Sequence, residues 1–266
     1  GRLIYHVKDS EGKKHDIDEL DLNSFVELTS PKQRLTSGQF DNIKSYQLRC
    51  ETLLLLNRLQ QSPVKGLLGS RTNLLPHQTY IAHEVAKRFA PRVLLADEVG
   101  LGKTIEAGMI LHYQLYTGLA SRVLIVVPNT LTHQWLVEML RRFNLRFALF
   151  NNDRLLALRE EEGNPFESEQ LIICSLDNLT HDSRLFNDAL SADWDMVVVD
   201  EAHHLHWSEG DEGHDYRCIE ALAEQCYGLL LLTATPEQVG AASHFARLRL
   251  LDPARFHDLD SFMQEE

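Results

Sequence analysis

The segment Arg92–Thr104 (RVLLADEVGLGKT) joins a short apolar run to a glycine-rich turn that ends in lysine and threonine. An apolar periodic stretch follows, so the order predicts a strand, a loop and a helix. The backbone N–H groups of such a loop and the positive end of the helix dipole suit a polyphosphate. Lys103 would reach the β- and γ-phosphates, and the Thr104 hydroxyl would hold Mg²⁺. The alternative for this segment alone is an ordinary glycine-rich turn with a solvated lysine.

A pair of acidic residues ends a second apolar run. Met196–Val199 is short and β-branched, and Asp200 and Glu201 follow it directly. A buried parallel strand is a continuous apolar run, and ligands collect at the carboxyl ends of such strands. Asp200 would therefore hold Mg²⁺, directly or through water, while Glu201 would orient or deprotonate the attacking water. Two surface acids at a strand end are the alternative if this motif stands alone.

The elements around both motifs alternate between strand and helix. Alternation of this kind predicts an α/β fold, with a mostly parallel sheet and helices on both faces. The predicted strands are Val93–Ala96, Val123–Val127, Phe147–Phe150, Leu171–Cys174, Met196–Val199 and Leu229–Leu232, and the predicted helices are His83–Phe89, Thr104–Tyr116 and Leu131–Phe143. Three further polar segments, Pro128–Thr130, Ser175–Asp177 and Thr233–Pro236, follow strands and would line the same sheet edge as the phosphate loop. A helix cap is the alternative for each one separately.

The N-terminal part has a different pattern. It predicts a β-hairpin, a loop, a helix and a linker, at Leu3–Ile17, Pro31–Asn42, Ser45–Gln61 and Ser62–Gly69 respectively, with Phe25–Leu28 as a candidate third strand. A lone hairpin is marginal in water, so we expect it to be the remnant of a larger β-module. The predicted division is therefore a β-module end at 1–30, a linker with a helix at 31–72 and the α/β domain at 73–266.

Composition and charge narrow the class of protein. The chain has 266 residues with a net charge of −13, which excludes a uniformly basic nucleic-acid coat, so contacts with nucleic acid must be local. Acidic residues gather in Arg159–Gln170 and Glu209–Asp215, which predict solvated loops. No apolar run approaches the length of a membrane span. The four cysteines lack C-x-x-C spacing and are expected to be reduced structural thiols of a cytoplasmic protein.

Five short motifs together carry a family resemblance. They occur in the order seen in superfamily-two helicase-like ATPases: LPHQ at 75–78, DEVGLGKT at 97–104, VVP at 126–128, DEAHH at 200–204 and LTATP at 232–236. Asp97 stands where other phosphate loops carry glycine, and in this the loop resembles the Swi/Snf branch. The flanking segments are similar to the bacterial, RNA-polymerase-associated members of that branch. The resemblance covers essentially the whole chain.

The resemblance implies a RecA-like P-loop lobe that uses ATP and Mg²⁺, with the N-terminal hairpin as the end of a Tudor-like module. Lys103, Asp200 and Glu201 would be catalytic, and Thr104 and Asp200 would hold the metal. The nucleotide-binding set would be Gln78, for the adenine edge, with Asp97, Glu98, Val99, Gly100, Leu101, Gly102, Lys103 and Thr104. Pro128, Asn129, Thr130, Ser175 and Asp177 would face the phosphates of one nucleic-acid strand, and Thr233 and Thr235 would couple nucleotide state to that strand.

The same resemblance implies partners and limits. The expected partners are RNA polymerase, as core or holoenzyme, and DNA or RNA, with no membrane, for a monomeric protein in the bacterial cytoplasm at the nucleoid. In such motors a second lobe supplies an arginine finger, which contributes about a thousandfold or more to hydrolysis. The chain is expected to be a fragment with the first lobe alone. We therefore predict that it binds ATP weakly and hydrolyses it negligibly by itself.

Other functions are compatible with parts of the pattern. A motor subunit of a restriction or nuclease system would use the same lobe, and a polymerase-docking module would use it without catalysis. A zinc site is another candidate, because three histidines, His203, His204 and His206, lie beside two acidic residues in the sequence. The DEAHH motif already accounts for two of the three histidines. Trp135, Trp194 and Trp207 are expected to be core or loop anchors rather than base-stacking platforms.

Overall fold

The computed structural model describes residues 4–8, 12–18, 31–38, 42–61, 70–73, 75–96, 102–159, 163–233 and 240–265. Contacts within the chain divide it into two compact units, residues 1–61 and 62–266. None of the helices in these ranges is both long and apolar enough to cross a bilayer. All four cysteines are free thiols, and burial raises the pKa of Cys174 to about 12.

The first unit contains the predicted hairpin. Strands β1 (Ile4–Lys8) and β2 (Lys14–Asp18) pair antiparallel. Helix α2 (Ile43–Gln61) confirms the predicted helix, and several of its apolar side chains, among them Leu48, Leu53 and Leu54, are exposed. The candidate strand at 25–28 and the linker at 62–69 lie outside the described residues.

The loop predicted at Pro31–Asn42 is wrong in its first half, where helix α1 (Pro31–Thr36) forms. Proline is favoured in the first turn of a helix because that turn has no use for its missing N–H. Thr36 closes the helix, since its hydroxyl donates to the carbonyls of Lys32 and Gln33. A polar composition was therefore no evidence against a helix here.

The second unit holds the remaining helices and strands. They are α3 (Pro76–Ala86), β3 (Arg92–Leu95), α4 (Lys103–Thr117), β4 (Val123–Val127), α5 (Thr132–Phe143), β5 (Ala148–Phe150), α6 (Asn152–Arg159), β6 (Leu171–Ser175), α7 (Leu176–His181), α8 (Ser183–Ser191), β7 (Met196–Val199), β8 (Trp207–Ser208), β9 (Asp211–Glu212), α9 (His214–Gln225), β10 (Gly228–Leu232), α10 (Ala241–Leu251) and α11 (Leu259–Glu265). Short 3₁₀ turns lie at Asn129–Leu131, Pro165–Glu167 and Ala202–His204.

Six parallel strands form the central sheet, in the order β3, β10, β7, β4, β6, β5. All six were predicted as strands. In register, Val198 of β7 lies between Ile125 of β4 and Leu230 of β10. The carboxyl ends of β7, β4 and β10 therefore meet at one edge of the sheet, and this brings the segments after those strands together.

Side chains alternate between two apolar layers along each central strand. Val197 and Val199 pack into the layer with α7 to α10, while Met196 and Val198 pack into the layer with α3, α4 and α5. This alternation is the twofold period of a strand buried on both faces. The prediction of helices on both faces is confirmed.

Two predictions near the sheet need correction. The helix predicted at His83–Phe89 is α3 (Pro76–Ala86), because Pro76 starts the helix and Ala90, with φ of 49°, lies beyond its end. The acidic segment 159–170 is not wholly a solvated loop. Phe166 within it is fully buried and packs against the rings of Phe150 and Trp194, at centroid distances of 5.3 and 6.2 Å.

The amino edge of the sheet is held by side chains that bond to backbone. The guanidinium of Arg92 donates to four atoms, the carbonyl oxygens of Leu250, Leu251, Ala223 and Cys226, at 2.7 to 3.1 Å. These carbonyls belong to the C-terminal ends of α9 and α10. At the same edge, the Asp195 carboxylate accepts from the N–H groups of Ser121 and Arg122.

Helices α4 and α5 pack closely at Gly108. A Cβ on this residue would lie 2.2 Å from Cε2 of Phe143. We therefore expect Gly108→Ala to lower the free energy of unfolding by about 1–3 kcal/mol, because overpacking outweighs the gain in helix propensity. Urea unfolding of the chain measures this difference. Phe143→Leu in the same chain should relieve the effect of Gly108→Ala, whereas a net stabilisation by Gly108→Ala alone would contradict the close packing.

Candidate nucleotide site

The phosphate-loop segment is described from its last glycine onward. Gly102 adopts φ of 88°, the left-handed conformation that favours glycine, and its carbonyl accepts from the N–H groups of Ile105 and Glu106. Lys103 and Thr104 form the first turn of α4 and are partly buried. The strand and the helix predicted here are confirmed, as β3 and α4. Residues 97–101, which were predicted to bind nucleotide, lie outside them.

Gln78 lies beside this loop. Its side chain is buried on α3, and a Cβ added to Gly102 would come within 2.5 Å of its Nε2 atom. The close approach requires glycine at position 102 for space as well as for backbone conformation. Gln78 is thus placed at the C-terminal end of the loop, next to the first turn of α4.

Asp200 follows β7 and is fixed by two donors. The indole Nε1–H of Trp135 donates to Oδ2 at 2.7 Å, and the backbone N–H of Glu201 donates to Oδ1 at 2.8 Å. Burial raises the pKa of Asp200, while these two hydrogen bonds and the charge of Lys103 oppose the rise. Strands β3 and β7, which precede the two predicted motifs, are parallel and both pair with β10, so the segments after them leave the same edge of the sheet.

Glu201 has an unusual backbone conformation. Its φ of 52° and ψ of 41° are left-handed, which is uncommon for a residue with a side chain and occurs at sites where function offsets strain. A 3₁₀ turn over Ala202–His204 follows. Nδ1 of His203 lies 3.1 Å from Oε2 of Glu201, and the rings of His203 and His204 pack at a centroid distance of 4.1 Å.

The other predicted edge residues differ in exposure. Asn129 and Thr130 are exposed in a 3₁₀ turn that follows Pro128, and Asp177 is exposed in the first turn of α7. Ser175 is buried, and its hydroxyl accepts from the N–H of Asn178 as a helix cap.

Thr233 follows β10, and its N–H donates to the carbonyl of Leu95 at the end of β3. The residue is fully buried, and its hydroxyl has no hydrogen-bond partner in the described part of the chain. Thr235 lies outside the described residues.

The residues at this edge fit a magnesium nucleotide. Thr104 and Asp200 offer hydroxyl and carboxylate oxygens, the hard donors that Mg²⁺ prefers. The left-handed Gly102 leads directly into the N-terminus of α4, where backbone N–H groups favour phosphate. Among the residues described, the structure shows no group of three or more histidine, cysteine, aspartate or glutamate side chains arranged as a metal site.

The comparison with protein families decides the assignment. The model described as the SNF2-related domain matches residues 56–266. The chain belongs to the SNF2-related family. A second model, the RapA N-terminal Tudor-like domain, matches residues 1–38, which include β1 and β2. The two matches together support the prediction of a RapA-like Swi/Snf ATPase with its first lobe.

Solved structures share the SNF2-related fold. The SWI2/SNF2 ATPase core of Sulfolobus solfataricus in complex with dsDNA matches with a TM-score of 0.59 and 21% identity over 74% of this chain and 39% of that chain. The core domain from the same organism gives the same TM-score and identity, and covers 38% of its chain. The Hef helicase domain of Pyrococcus furiosus matches with a TM-score of 0.51 and 21% identity, over 66% of this chain and 35% of that chain. These matches confirm the RecA-like fold, and this chain spans less than two fifths of each matched chain.

The structure shows features of two residues, Trp135 and Arg247, that the sequence analysis did not predict. Trp135 was predicted only as a core anchor, and its burial on α5 confirms this, but its indole also meets Asp200. Arg247 is buried on α10, although arginine is almost never fully buried unless it is paired. Trp135 shares one face of α5 with the buried Met139 and Phe143, a spacing that predicts burial, whereas no local signal marked Arg247.

Proposed function

We propose that this chain is the first motor lobe of an ATP-dependent Swi/Snf-type translocase on double-stranded nucleic acid. We further propose that the motor binds RNA polymerase, acts in its recycling during transcription and works in the bacterial cytoplasm. The observation that carries the proposal is the placement of Lys103 and Asp200 at one sheet edge in a member of the SNF2-related family. The match of residues 1–38 to a RapA Tudor-like domain supports the polymerase partner.

We assign ATP binding, Mg²⁺ binding, water activation and nucleic-acid contact to different residues of the lobe. In this proposal Lys103 and the N–H groups at the start of α4 bind the phosphates of the ATP substrate, and Gln78 contacts the adenine edge. When bound, Mg²⁺ neutralises phosphate charge during transfer. Asp200 and Thr104 would hold it, and Glu201 would orient and deprotonate the attacking water. Asn129 and Thr130 are exposed at the same edge, where their neutral side chains can contact a nucleic-acid backbone despite the acidic charge of the chain. Asp177 is also exposed there, but its carboxylate would repel phosphate.

The decisive experiment measures ATP turnover of the intact parent protein, with and without core RNA polymerase and with duplex DNA. Lys103→Ala should abolish turnover, and Lys87→Ala, an exposed lysine after α3, is the matched control. Stimulation by polymerase that Lys103→Ala removes would support the whole proposal. Stimulation by DNA alone would retain the motor and favour a restriction-type or nuclease-linked subunit. Polymerase binding without any turnover would favour a docking module.

The isolated chain should bind ATP weakly and turn it over negligibly, because it spans less than two fifths of the SWI2/SNF2 cores that it matches and such motors complete the site with a second lobe. Binding of a fluorescent ATP analogue and release of phosphate measure the two properties. Turnover by the isolated chain at the rate of the intact motor would contradict the need for a second lobe.

Trp135→Phe tests the support of Asp200. Phenylalanine fills similar space but cannot donate to Oδ2, so the Mg²⁺ concentration for half-maximal turnover should rise about tenfold, as for other groups that orient a metal ligand. Trp194→Phe is the matched control, because its indole is equally buried and donates to the carbonyl of Ala189, away from Asp200. An equal Mg²⁺ shift in both variants would show that Trp135 acts through stability only.

A further inference from the structure

A buried arginine on α10 has incomplete hydrogen bonding. The side chain of Arg247 is 1% exposed, and its Nη1 donates to the hydroxyl of Ser243 at 2.7 Å. Its Nε and Nη2 atoms find no acceptor among the residues that the structure describes. Burying a guanidinium with open donors costs free energy, and burial lowers the pKa of Arg247 accordingly. Because this burial costs free energy, we looked for a role of Arg247 that would offset the cost.

The histidine after the acidic pair lies in the field of this guanidinium. Burial lowers the pKa of His203, as do the neighbouring His204 and the charge of Arg247, while Glu201 and Asp200 oppose the decrease. The His203 ring is therefore neutral at neutral pH. A neutral imidazole donates with one ring nitrogen and accepts with the other.

Arg247, His203 and Glu201 each carry a buried polar side-chain atom without a hydrogen-bond partner among the described residues. Nδ1 of His203 and Oε2 of Glu201 are buried, lie 3.1 Å apart and have no hydrogen-bond partner within the described ranges. Arg247 has unused N–H donors on Nε and Nη2. A neutral His203 can accept at one ring nitrogen and donate from the other, and Oε2 of Glu201 can accept.

We propose that Arg247 is a positioning residue for Glu201, acting through His203. In the nucleotide-bound motor, an Arg247 N–H donates to Nε2 of His203, and the His203 Nδ1–H donates to Oε2 of Glu201. Glu201 then has one oxygen fixed and keeps Oε1 for the attacking water. This inference rests on the proposed function, because it assigns Glu201 to the water. No proton or charge moves along the chain of hydrogen bonds.

A purely structural role for Arg247 makes a different prediction. If the side chain only filled space between α10 and the sheet, methionine would replace its stem without the cost of a buried charge. Such a variant would be as stable as the parent and equally active. A positioning role instead predicts a loss in kcat without a loss in ATP affinity, because the ground-state contacts with ATP do not involve Arg247.

The experiment compares steady-state turnover of the intact parent protein with its variants. Arg247→Met and His203→Phe should each lower kcat about tenfold and leave KM for ATP within about twofold. The double variant should be no slower than either single one, because both break the same chain. His203→Gln should recover most of the loss, since an amide also has one donor and one acceptor to offer. Arg249→Met is the control, because Arg249 lies on the same helix and pairs with Glu212 and Glu220.

The outcomes separate this inference from the proposed function. Full turnover in Arg247→Met, beside an inactive Lys103→Ala, would overturn the role of Arg247 and leave the motor intact. Additive losses in the double variant, or a His203→Gln as slow as His203→Phe, would also overturn it. Turnover that survives Lys103→Ala would instead contradict the proposed function itself. If thermal melting shows that Arg247→Met does not fold, the comparison of His203→Gln with His203→Phe decides the matter alone.

Discussion

Replacing Glu201 with glutamine is expected to lower the kcat of the intact motor by about 10²–10⁴-fold, the range for loss of a general base. Glutamine keeps the size of the side chain but cannot accept the proton of the attacking water. ATP affinity should change little, because Lys103 and the first turn of α4 remain in place. Steady-state phosphate release and binding of a fluorescent ATP analogue measure the two effects separately.

The control for this substitution is Glu209→Gln, which removes the same charge from an exposed position in the turn between β8 and β9. It should leave turnover unchanged. Lys103→Ala provides the opposite pattern, since it should weaken ATP binding as well as turnover. More than a tenth of the parent kcat in Glu201→Gln would exclude Glu201 as the base and leave Asp200 as the main acidic residue of the site.

The second large effect concerns stability. Arg92→Leu should lower the free energy of unfolding by about 3–5 kcal/mol, because four carbonyl oxygens at the ends of α9 and α10 lose one shared cationic donor. The last carbonyls of a helix generally lack intrahelical N–H donors, and a cation near a helix C-terminus interacts favourably with the helix dipole. Urea unfolding of the chain, followed by far-ultraviolet circular dichroism, measures the loss.

Arg88→Leu is the matched control, because Arg88 is exposed just beyond α3 and loses the same charge and side-chain type. Its effect should stay within about 0.5 kcal/mol, as for ordinary surface substitutions. A loss below about 1 kcal/mol in Arg92→Leu would mean that water replaces the guanidinium at these helix ends. Nucleotide binding by the folded variant should remain normal, since the carboxyl edge is not altered.

The sheet was predictable because its strands have an unambiguous pattern. Continuous β-branched runs such as Met196–Val199 have no competing helical period, and the glycine-rich turn before α4 fixes where one strand must end. The helix α1 was missed because its polar sequence offers no apolar stripe, although its first proline favours a helix. Phe166 was missed because acidic neighbours dominate its segment, whereas the burial of one aromatic ring depends on residues distant in sequence.

The sequence predicted which residues belong to the site, but not the side-chain contacts between them. Types and spacing predict that Lys103 and Asp200 follow two parallel strands, and the structure has β3 before Lys103 and β7 directly before Asp200. The hydrogen bond from Trp135 to Asp200 joins two segments 65 residues apart in sequence, and periodicity says only that the indole faces inward. Arg247 is similar: its burial arises from the packing of α10 against the sheet, and no local pattern encodes it.

The two edges of the parallel sheet separate the residues that stabilise the lobe from the residues of the candidate site. Arg92 and Asp195 anchor helices and loops at the amino edge, whereas Lys103, Asp200 and Glu201 lie at the carboxyl edge. Directed evolution for heat resistance can therefore target the amino edge with little effect on turnover, and selection for new partners can target the exposed positions of the carboxyl edge, such as Asn129 and Thr130, with little effect on stability. A variant library divided in this way would vary stability and function almost independently within one small domain.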